Sequence, residues 1–168
     1  LIAGQDEIDR VHPLLNAALA HLPDHAPWPR EAVESLVAPF LRIADPNLVL
    51  FAEIDQRTVG WFPGVPNLNE SLKQVNGLRY PWNYAHLWWA MRKQPDCLTI
   101  KSVLVDPDYW DTGVAVLLFA EMLKRARAKG YKWLDLSLTS DDNPRTPALA
   151  KRMGAEVYKR YRVYRLDF

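Results

Sequence analysis

The sequence has almost no cysteine and no long apolar segment. Cys97 is its single cysteine, so an intrachain disulfide is excluded. The longest fully apolar run, Val114 to Ala120, is far shorter than the ~20 residues that a helix needs to cross a bilayer, and no secretory segment is visible. We therefore expect a protein of a reducing, cytoplasmic compartment, with neither a disulfide scaffold nor a membrane-spanning helix.

An excess of charge of either sign is also absent. There are 21 basic and 20 acidic residues, which gives a formal net charge of +1. This balance argues against a nucleic-acid partner and against an anionic membrane, because both favour a strongly basic surface. With 168 residues, of which 49% are hydrophobic and 24% charged, the chain has a globular composition, and we expect a single domain over residues 1–168.

Histidines near the start of the chain raise the question of a metal site. His21 and His25 are four residues apart, with Asp24 beside them, a spacing that can place two ligands on one helical face. Pro23 stands between them and should end the helix that would aim both rings at one ion. We therefore expect no metal site and interpret these histidines, like His12, as surface residues.

A strand followed by a helix is predicted in the middle of the chain. Residues Cys97 to Val105 are rich in β-branched and apolar types, which predicts a buried strand, and Asp106-Pro107 should end it because proline cannot donate to a ladder. From Val114 onwards, apolar residues recur at spacings of three and four. This periodicity predicts a long helix that runs to Lys129.

The start of this helix is the predicted functional site. The first N–H groups of a helix have no intrahelical partner, so they can hold a phosphate or pyrophosphate without a basic side chain. Gly113 and Ala115 are small and would let such a ligand approach the backbone. An ordinary strand-to-helix turn would also favour small residues here.

These residues resemble the GNAT superfamily of acyl-CoA-dependent N-acyltransferases. After a strand that ends in Val-x-Pro, the family carries Gln or Arg, two variable residues, Gly, one variable residue, and then Gly or Ala. The corresponding residues in this chain are Val105-Asp106-Pro107 and then Trp110-Asp111-Thr112-Gly113-Val114-Ala115. Both small positions match, whereas Trp110 stands where the family has Gln or Arg. The order of the later strands and helices also matches.

The resemblance implies acetyl-CoA as cosubstrate. Its pyrophosphate would lie at the start of the helix, and its pantetheine arm would lie between two splayed strands. The residues implied in cofactor binding are Leu104, Val105, Trp110, Asp111, Thr112, Gly113, Val114, Ala115 and Asn143. Asn143 is also predicted to be a helix N-cap, since Pro144 follows it. The Val105 backbone N–H would bind the oxyanion.

Two of these residues weaken the expected binding of the cofactor. The Asp111 carboxylate would repel a pyrophosphate, and Trp110 cannot supply the hydrogen bonds of Gln or Arg. Together these changes would cost on the order of 1–3 kcal/mol in affinity.

The predicted fold is α/β, a GNAT-like mixed, twisted sheet of about six or seven strands with helices on both faces. Two N-terminal helices, which in the family border the acceptor pocket, are followed by a hairpin, and the last element is a strand. Pro13 should kink the first helix or delay its start until about His12. The predicted bounds are Gln5 to Leu22 and Arg30 to Leu41 for the helices, Asn47 to Ile54 and Thr58 to Phe62 for the hairpin, Trp133 to Leu138 for a parallel strand, and Val157 to Leu166 for the last strand.

An aromatic-rich insertion is predicted at about residues 63–96. Its aromatic residues are too many to remain in solvent, so they should pack in a core or lid, contact a ligand, or form a subunit interface. Asn69 is the expected cap of a short helix that Gly77 ends, and Asn83 is the expected cap of a second one. The aromatic residues are Tyr80, Trp82, Tyr84, Trp88 and Trp89.

No catalytic residue is assigned. Ala150 stands where the family's usual acid, a tyrosine, would be. Tyr158, Tyr161 and Tyr164 lie on the predicted last strand, where strand packing is the simpler interpretation. Glu53 and Asp96 are candidate bases, and each is also typical of a surface carboxylate.

Two classes of function remain open at this point. The first is an acyl-CoA-dependent transferase that passes an acetyl group to a small-molecule amine or to a peptide amine. The second is a GNAT-like domain without catalysis that binds a ligand or a partner. A homodimer or a tandem partner domain is a further expectation, since the chain begins at Leu1 rather than Met and carries Trp88-Trp89.

Overall fold

The computed structural model describes residues 5–21, 26–41, 43–75, 79–136, 138–139, 145–162 and 164–166. The chain divides into two compact units, Leu1–Ser137 and Leu138–Phe168, which are described separately. Among the described residues, no helix has both the length and the apolar character needed to span a bilayer.

The first unit is built on a mixed sheet of five strands in the described part of the chain. The order is β1-β2-β3-β5, and β4 also pairs with β2. Among the strand pairs of the described residues, only β3–β5 is parallel. This architecture confirms the predicted mixed α/β sheet, for which about six or seven strands were expected. The strands are β1 Val49–Ile54, β2 Arg57–Pro66, β3 Cys97–Ile100, β4 Leu104–Val105 and β5 Trp133–Asp135.

Helices cover both faces of this sheet, as predicted. Trp61 of β2 is buried in a cluster with residues of α1 and α2. Its neighbour Phe62 points to the opposite face, where its ring lies 4.6 Å from that of Phe119 in α5. The helices of the first unit are α1 Gln5–Leu19, α2 Arg30–Leu41, α3 Leu68–Gln74, α4 Pro81–Ala90 and α5 Val114–Ala128.

Helix α1 begins at Gln5 and continues past Pro13 to Leu19, so the expected delay of its start to about His12 is wrong. The ring of Pro13 is exposed, while Ile8, Val11 and Leu14 are buried in the cluster below the sheet. The burial of these apolar side chains offsets the hydrogen bond that proline removes.

The predicted β1–β2 hairpin is confirmed, and its turn contains the two residues Asp55 and Gln56. Both have positive φ angles, 49° and 64°, the backbone of a two-residue hairpin turn that follows the twist of the strands. Strand β2 then continues to Pro66, beyond the predicted end at Phe62.

The strand predicted from Cys97 to Val105 is interrupted between β3 and β4. Trp61 pairs with Leu104, whereas Gly64 pairs with Ile100. Three residues, 101–103, therefore lie opposite two on β2, which is the arrangement of a β-bulge. Pro63 lies opposite this bulge, and because it has no N–H it cannot complete a regular ladder there.

The connection from β2 to β3 contains the two helices that were predicted, but their caps differ. The N-cap of α3 is Asn67, whose side chain accepts from the Asn69 backbone N–H, so Asn69 is not the cap. Helix α4 begins with Pro81 at its first position and has no side-chain cap, while Asn83 is buried inside it. Proline at the first position is pre-organised for a helix, and its missing N–H would be unpaired there anyway. Gly77 lies outside the described residues.

The second unit contains α6, Arg145–Arg152, which ends as predicted at Gly154 with φ +85°. The Ala155 N–H donates to Ala150 O at 2.9 Å, and the Gly154 N–H donates to Lys151 O at 3.0 Å, a pattern that satisfies the last carbonyls of a helix. The final strand predicted from Val157 to Leu166 is wrong for residues 157–162 and 164–166, which adopt no strand. Alternation supplies β propensity, but a strand also needs a partner, and the described part of this unit holds no other strand.

Candidate functional site

The junction between β4 and α5 is shaped by Asp106, the residue that follows β4. Its carboxylate accepts from the Asp108 backbone N–H at 3.1 Å and so caps a short 3-10 turn, Pro107–Tyr109. Asp106 is almost fully buried. The same side chain accepts from Arg57 Nη2 at 2.6 Å, which ties the end of β4 to the start of β2.

The first turn of α5 presents unsatisfied backbone donors. The Leu117 N–H donates to Gly113 O at 3.0 Å and makes the first bond of the helix. The N–H groups of Val114, Ala115 and Val116 precede that bond, so they have no acceptor within the helix. The helix dipole adds partial positive charge at the same place, which favours an anion.

Gly113 is the N-cap of α5, with φ +89°. This left-handed backbone is one that other residues adopt only with strain. A Cβ built at Gly113 meets no heavy atom within 4 Å. The glycine is therefore required by the backbone conformation, and there is open space where its side chain would lie.

The side chain of Trp110 points back to the end of β4. Its indole Nε1–H donates to Val105 O at 2.9 Å, and its ring meets the His21 ring edge to face at 4.9 Å between centroids. The residue that replaces the Gln or Arg of the resembled family therefore closes the turn onto β4.

Thr112 and Asp111 complete the turn. Both the Thr112 hydroxyl and the Thr112 N–H donate to Tyr109 O, at 2.7 and 3.3 Å. The Thr112 donors are thus directed into the turn, and Asp111 is exposed beside it.

One edge of β4 faces away from β2. The Asp106 N–H donates to Val59 O at 2.9 Å, and Gly60 is the partner of Val105. In an antiparallel ladder, hydrogen-bonded and non-hydrogen-bonded pairs alternate, so the N–H and C=O of Val105 point away from β2. The Val105 C=O accepts from Trp110, and no strand among the described residues pairs with this edge.

β5 pairs with β3 and does not extend along β4. Their parallel register runs from the Cys97–Trp133 pair to the Thr99–Asp135 pair. β4 begins five positions after Thr99, at Leu104, beyond the described end of β5. The outer edge of β4 can therefore receive an extended molecule that carries amide groups.

A cavity of about 280 Å³ lies on the α1 face of the sheet, next to the end of β4. Arg10 and Arg57 bring positive charge to its wall, and Asp106 brings a carboxylate. Each of these side chains already has a partner, since Arg10 pairs with Glu53 and Arg57 with Asp106. The lining residues are Arg10, Pro13, Leu14, Ala17, Arg57, Thr58 and Asp106.

Cys97 is a poor candidate for a nucleophile. It is fully buried in β3, and this burial raises the pKa of its thiol. A thiol with a raised pKa stays protonated at neutral pH, whereas the thiolate is the reactive form. The site therefore has no cysteine suited to carry an acyl group.

The two carboxylates considered as bases are engaged at the surface. Glu53 pairs with Arg10, and Asp96 accepts from Lys132 Nζ at 2.8 Å. Neither of these ion pairs belongs to the turn at the start of α5.

The structure brings together the predicted residues Leu104, Val105, and Trp110 to Ala115 at one strand-to-helix junction. Asn143 lies outside the described residues, and Ala150 belongs to the second unit.

Sequence reasoning missed the Arg57–Asp106 pair, because Asp106 was interpreted only as part of the strand stop. An acidic residue directly before Pro107, followed by Asp108, was the available signal, since aspartate often caps such a turn.

Comparison with known proteins gives an independent result. The profile of the acetyltransferase (GNAT) family matches residues 11–155. Protein YghO of Escherichia coli K12 is 26% identical over 165 residues, which cover 95% of this chain and 42% of that protein. The bacterial ceramide synthase of Caulobacter vibrioides is 26% identical over 163 residues, which cover 94% of this chain and 42% of that protein. The chain thus spans about two fifths of the length of these relatives.

The fold is also similar to solved structures. The aminoglycoside N-acetyltransferase AAC(6')-Iy in complex with CoA superposes with a TM-score of 0.62 at 18% identity, over 97% of this chain and 90% of that one. Identity at this level supports the fold alone. Together with the profile match over most of the chain, it establishes that this chain belongs to the acetyltransferase (GNAT) family.

Proposed function

We propose that the chain is an acyl-CoA-dependent N-acyltransferase that transfers an acetyl group from acetyl-CoA to an amine. The observation that carries the proposal is the open N-terminus of α5 next to the outward edge of β4. The first feature suits a pyrophosphate and the second suits the amide groups of a pantetheine arm.

The backbone of α5 supplies the donors for the pyrophosphate. The N–H groups of Val114, Ala115 and Val116 precede the first bond of the helix, and Gly113 adds no side chain beside them. Asp111 opposes this binding through its charge, but it is exposed, so solvent and salt weaken the repulsion. The residues fit the group without a basic side chain.

Trp110 competes with the cofactor for the edge of β4. Its indole N–H occupies the Val105 C=O, which would otherwise accept from a pantetheine amide. The cofactor then has to displace the indole, use the second lone pair of the same carbonyl, or bond elsewhere on this edge. We therefore expect Trp110 to lower the affinity for acetyl-CoA rather than to contribute to it.

The transfer itself is a direct attack by the amine. The nitrogen forms a bond to the thioester carbon, the C–S bond then breaks, and CoA departs as a thiolate that takes up the proton released by the amine. We propose that the Val105 N–H binds the oxyanion of the intermediate, and its direction away from β2 supports this role. The buried Cys97 with its raised pKa makes an acyl-enzyme intermediate the less favourable route.

The relatives support a small-molecule amine as acceptor. The Caulobacter protein is named as a ceramide synthase, and a ceramide is an amide of a long-chain amino alcohol. AAC(6')-Iy is named for aminoglycosides, which are sugar compounds that carry several amino groups. These names suggest two acceptor classes to test, and the first also suggests a long-chain acyl-CoA as an alternative donor.

Calorimetric titration with acetyl-CoA tests the proposal directly. The wild-type chain should bind in the micromolar range, and Gly113→Glu should abolish binding because it places a carboxylate at the helix start. Gly130→Glu is the matched control. Gly130 has φ +87° and lies just beyond the other end of α5, where a Cβ would make only an ordinary contact, 3.9 Å from Gln94 Nε2. This variant therefore carries the same backbone strain but should still bind.

Release of free CoA, followed with a thiol reagent, then identifies the acceptor. Aminoglycosides and long-chain amino alcohols would each be offered with acetyl-CoA and with palmitoyl-CoA. The transferase assignment would fail if a folded protein showed no binding at millimolar acetyl-CoA. Binding without release of CoA in the presence of any amine would leave a binding module that has lost catalysis.

A further inference from the structure

The connection between β2 and β3 presents five exposed aromatic side chains. Tyr80, Trp82, Tyr84, Trp88 and Trp89, here called the aromatic surface, are between 45% and 70% exposed. All but Tyr80 lie on α4, and Tyr80 directly precedes it. A cluster of large aromatic residues that remains this exposed in a folded chain marks a surface that binds a partner.

Helix α4 packs through a narrow stripe of smaller side chains and leaves its aromatic side chains outward. Its buried residues are Asn83 and Ala90, with Leu87 half-buried between them, and the helix packs against α3. These three positions form one stripe at spacings of four and three. The packing of this helix therefore leaves its largest apolar side chains exposed, whereas an ordinary amphipathic helix buries them.

The segment that carries the aromatic surface contains basic residues and no acidic one. The 25 residues from Ser71 to Pro95 include Lys73, Arg79, Arg92 and Lys93 but no aspartate or glutamate. All four cationic side chains are exposed. The near-zero net charge of the whole chain thus conceals a basic segment, so the argument from net charge against a membrane partner does not apply here.

Several of these side chains are already ordered against each other. The Arg92 guanidinium lies 3.5 Å from the centre of the Trp88 ring, and the Tyr80 and Trp82 rings stack with centroids 4.7 Å apart. Side chains that are pre-organised in this way lose less conformational entropy when a partner covers them.

We propose that the aromatic surface and its four basic residues bind the headgroup region of an anionic lipid bilayer. Trp and Tyr combine an apolar ring with a polar atom, which suits the boundary between acyl chains and headgroups. Lys and Arg beside them attract anionic headgroups. This mode needs no membrane-spanning helix, and it does not depend on the acyl-transfer activity.

Co-sedimentation of the purified chain with lipid vesicles tests the proposal. The chain should bind vesicles of phosphatidylcholine with 30 mol% phosphatidylglycerol at least about tenfold more tightly than vesicles of phosphatidylcholine alone. The combined substitutions Trp82→Ser, Trp88→Ser and Trp89→Ser should abolish binding to both. Arg79→Gln with Arg92→Gln should weaken binding to the anionic vesicles about tenfold or more, with little effect on the neutral ones.

A second aromatic and basic segment provides the matched control. Tyr158 and Tyr161 are exposed and lie beside Lys159, Arg160 and Arg162 in the second unit. This segment carries no tryptophan, the side chain with the largest apolar area at the headgroup boundary, so Tyr158→Ser with Tyr161→Ser should change vesicle binding far less than the tryptophan substitutions do. Thermal unfolding of every variant, followed by circular dichroism, separates loss of binding from loss of fold.

Three results would overturn the proposal. The first is absence of vesicle binding by the folded wild-type chain. The second is binding that depends on Tyr158 and Tyr161 but not on the three tryptophans. The third is concentration-dependent dimerisation that the tryptophan substitutions abolish, without vesicle binding, which would make the aromatic surface a contact between protein chains.

Discussion

Trp110 is the residue at which this chain departs most clearly from its family, and the structure gives the departure a physical meaning. The indole donates to Val105 O and packs on His21. Trp110→Phe keeps an aromatic ring against His21 but frees the carbonyl. A hydrogen bond contributes ~0.5–1.5 kcal/mol, so affinity for CoA should rise about two- to tenfold, as measured by calorimetry. Weaker binding by Trp110→Phe would mean that the indole contacts the cofactor instead.

Asp45 makes the free energy of unfolding depend on pH in the acid range. The Lys129 ammonium lies 2.5 Å from its carboxylate and holds the pKa of Asp45 below its ordinary value, with further help from the Asn47 backbone N–H. A lowered folded-state pKa stabilises the fold above the unfolded pKa of ~4, and this contribution is lost as the pH falls through the folded value.

Lys129→Gln should therefore lower the free energy of unfolding at pH 7 and leave it nearly unchanged at the acid end of the range. Urea denaturation from pH 7 down to pH 2.5 would measure the difference between variant and wild type. Lys132→Gln is a suitable comparison, because the Lys132–Asp96 pair is much more exposed and should contribute little at any pH. A difference that stayed constant over the whole range would exclude Asp45 as its origin.

At the scale of elements, two glycines of β2 set how closely α5 approaches the sheet. A Cβ at Gly60 would lie 2.9 Å from Leu118 Cδ1 and 3.2 Å from Val114 Cγ1, whereas a Cβ at Gly64 would lie 2.9 Å from Leu98 Cδ2. Both substitutions by alanine should lower stability, by roughly 1–3 kcal/mol. Only Gly60 lies beneath the residue that begins α5.

Gly60→Ala should for this reason weaken acetyl-CoA binding as well as stability, and Gly64→Ala should weaken stability alone. Thermal unfolding and calorimetry on the same two proteins would compare both properties. Equal loss of affinity in the two variants would mean that the start of α5 responds to general destabilisation rather than to the local contact.

Many of the helices, strands and turns were predictable from the sequence. The periodicity from Val114 to Ala128 and the glycine that follows predicted α5, and the polar residues Asp55-Gln56-Arg57 predicted the hairpin turn, of which Arg57 belongs to β2. The bulge at 101–103 was not predictable, because it depends on Pro63, which is distant in the chain and opposite in the sheet. The caps of α3 and α4 were misplaced for a related reason, since several asparagines and a proline compete locally and packing selects among them.

For the candidate site, the residues were predictable but their contacts were not. The small pair Gly113 and Ala115 indicated an open helix start. The bond from Trp110 to Val105 and the buried pair of Asp106 with Arg57 are three-dimensional facts without a periodic signal. The exposure of the α4 aromatics was also unexpected, because burial is the usual fate of Trp.

At the scale of the whole molecule, binding of the cofactor should be visible as thermal stabilisation. A ligand that binds only the folded state adds about 2.7 kcal/mol when its concentration is 100 times Kd. Saturating acetyl-CoA should therefore raise the Tm by several degrees, as measured by differential scanning fluorimetry. Gly130→Glu should show the same shift and Gly113→Glu none. A shift of equal size in both would indicate a binding site away from the start of α5.

The additional residue at 101–103 has a consequence for every position after it. Hydrogen-bonded and non-hydrogen-bonded pairs alternate along a strand. One extra residue therefore reverses which backbone N–H and C=O groups of β4 face β2 and which point away from it. Val59 would pair with Val105 in an uninterrupted register, and the Val105 amide would then face β2; with the bulge, Val59 meets Asp106 instead. The number of residues between Ile100 and Leu104 thus decides whether the Val105 amide faces β2 or points outward. Deletion of Ser102 alone should turn that amide back into the sheet.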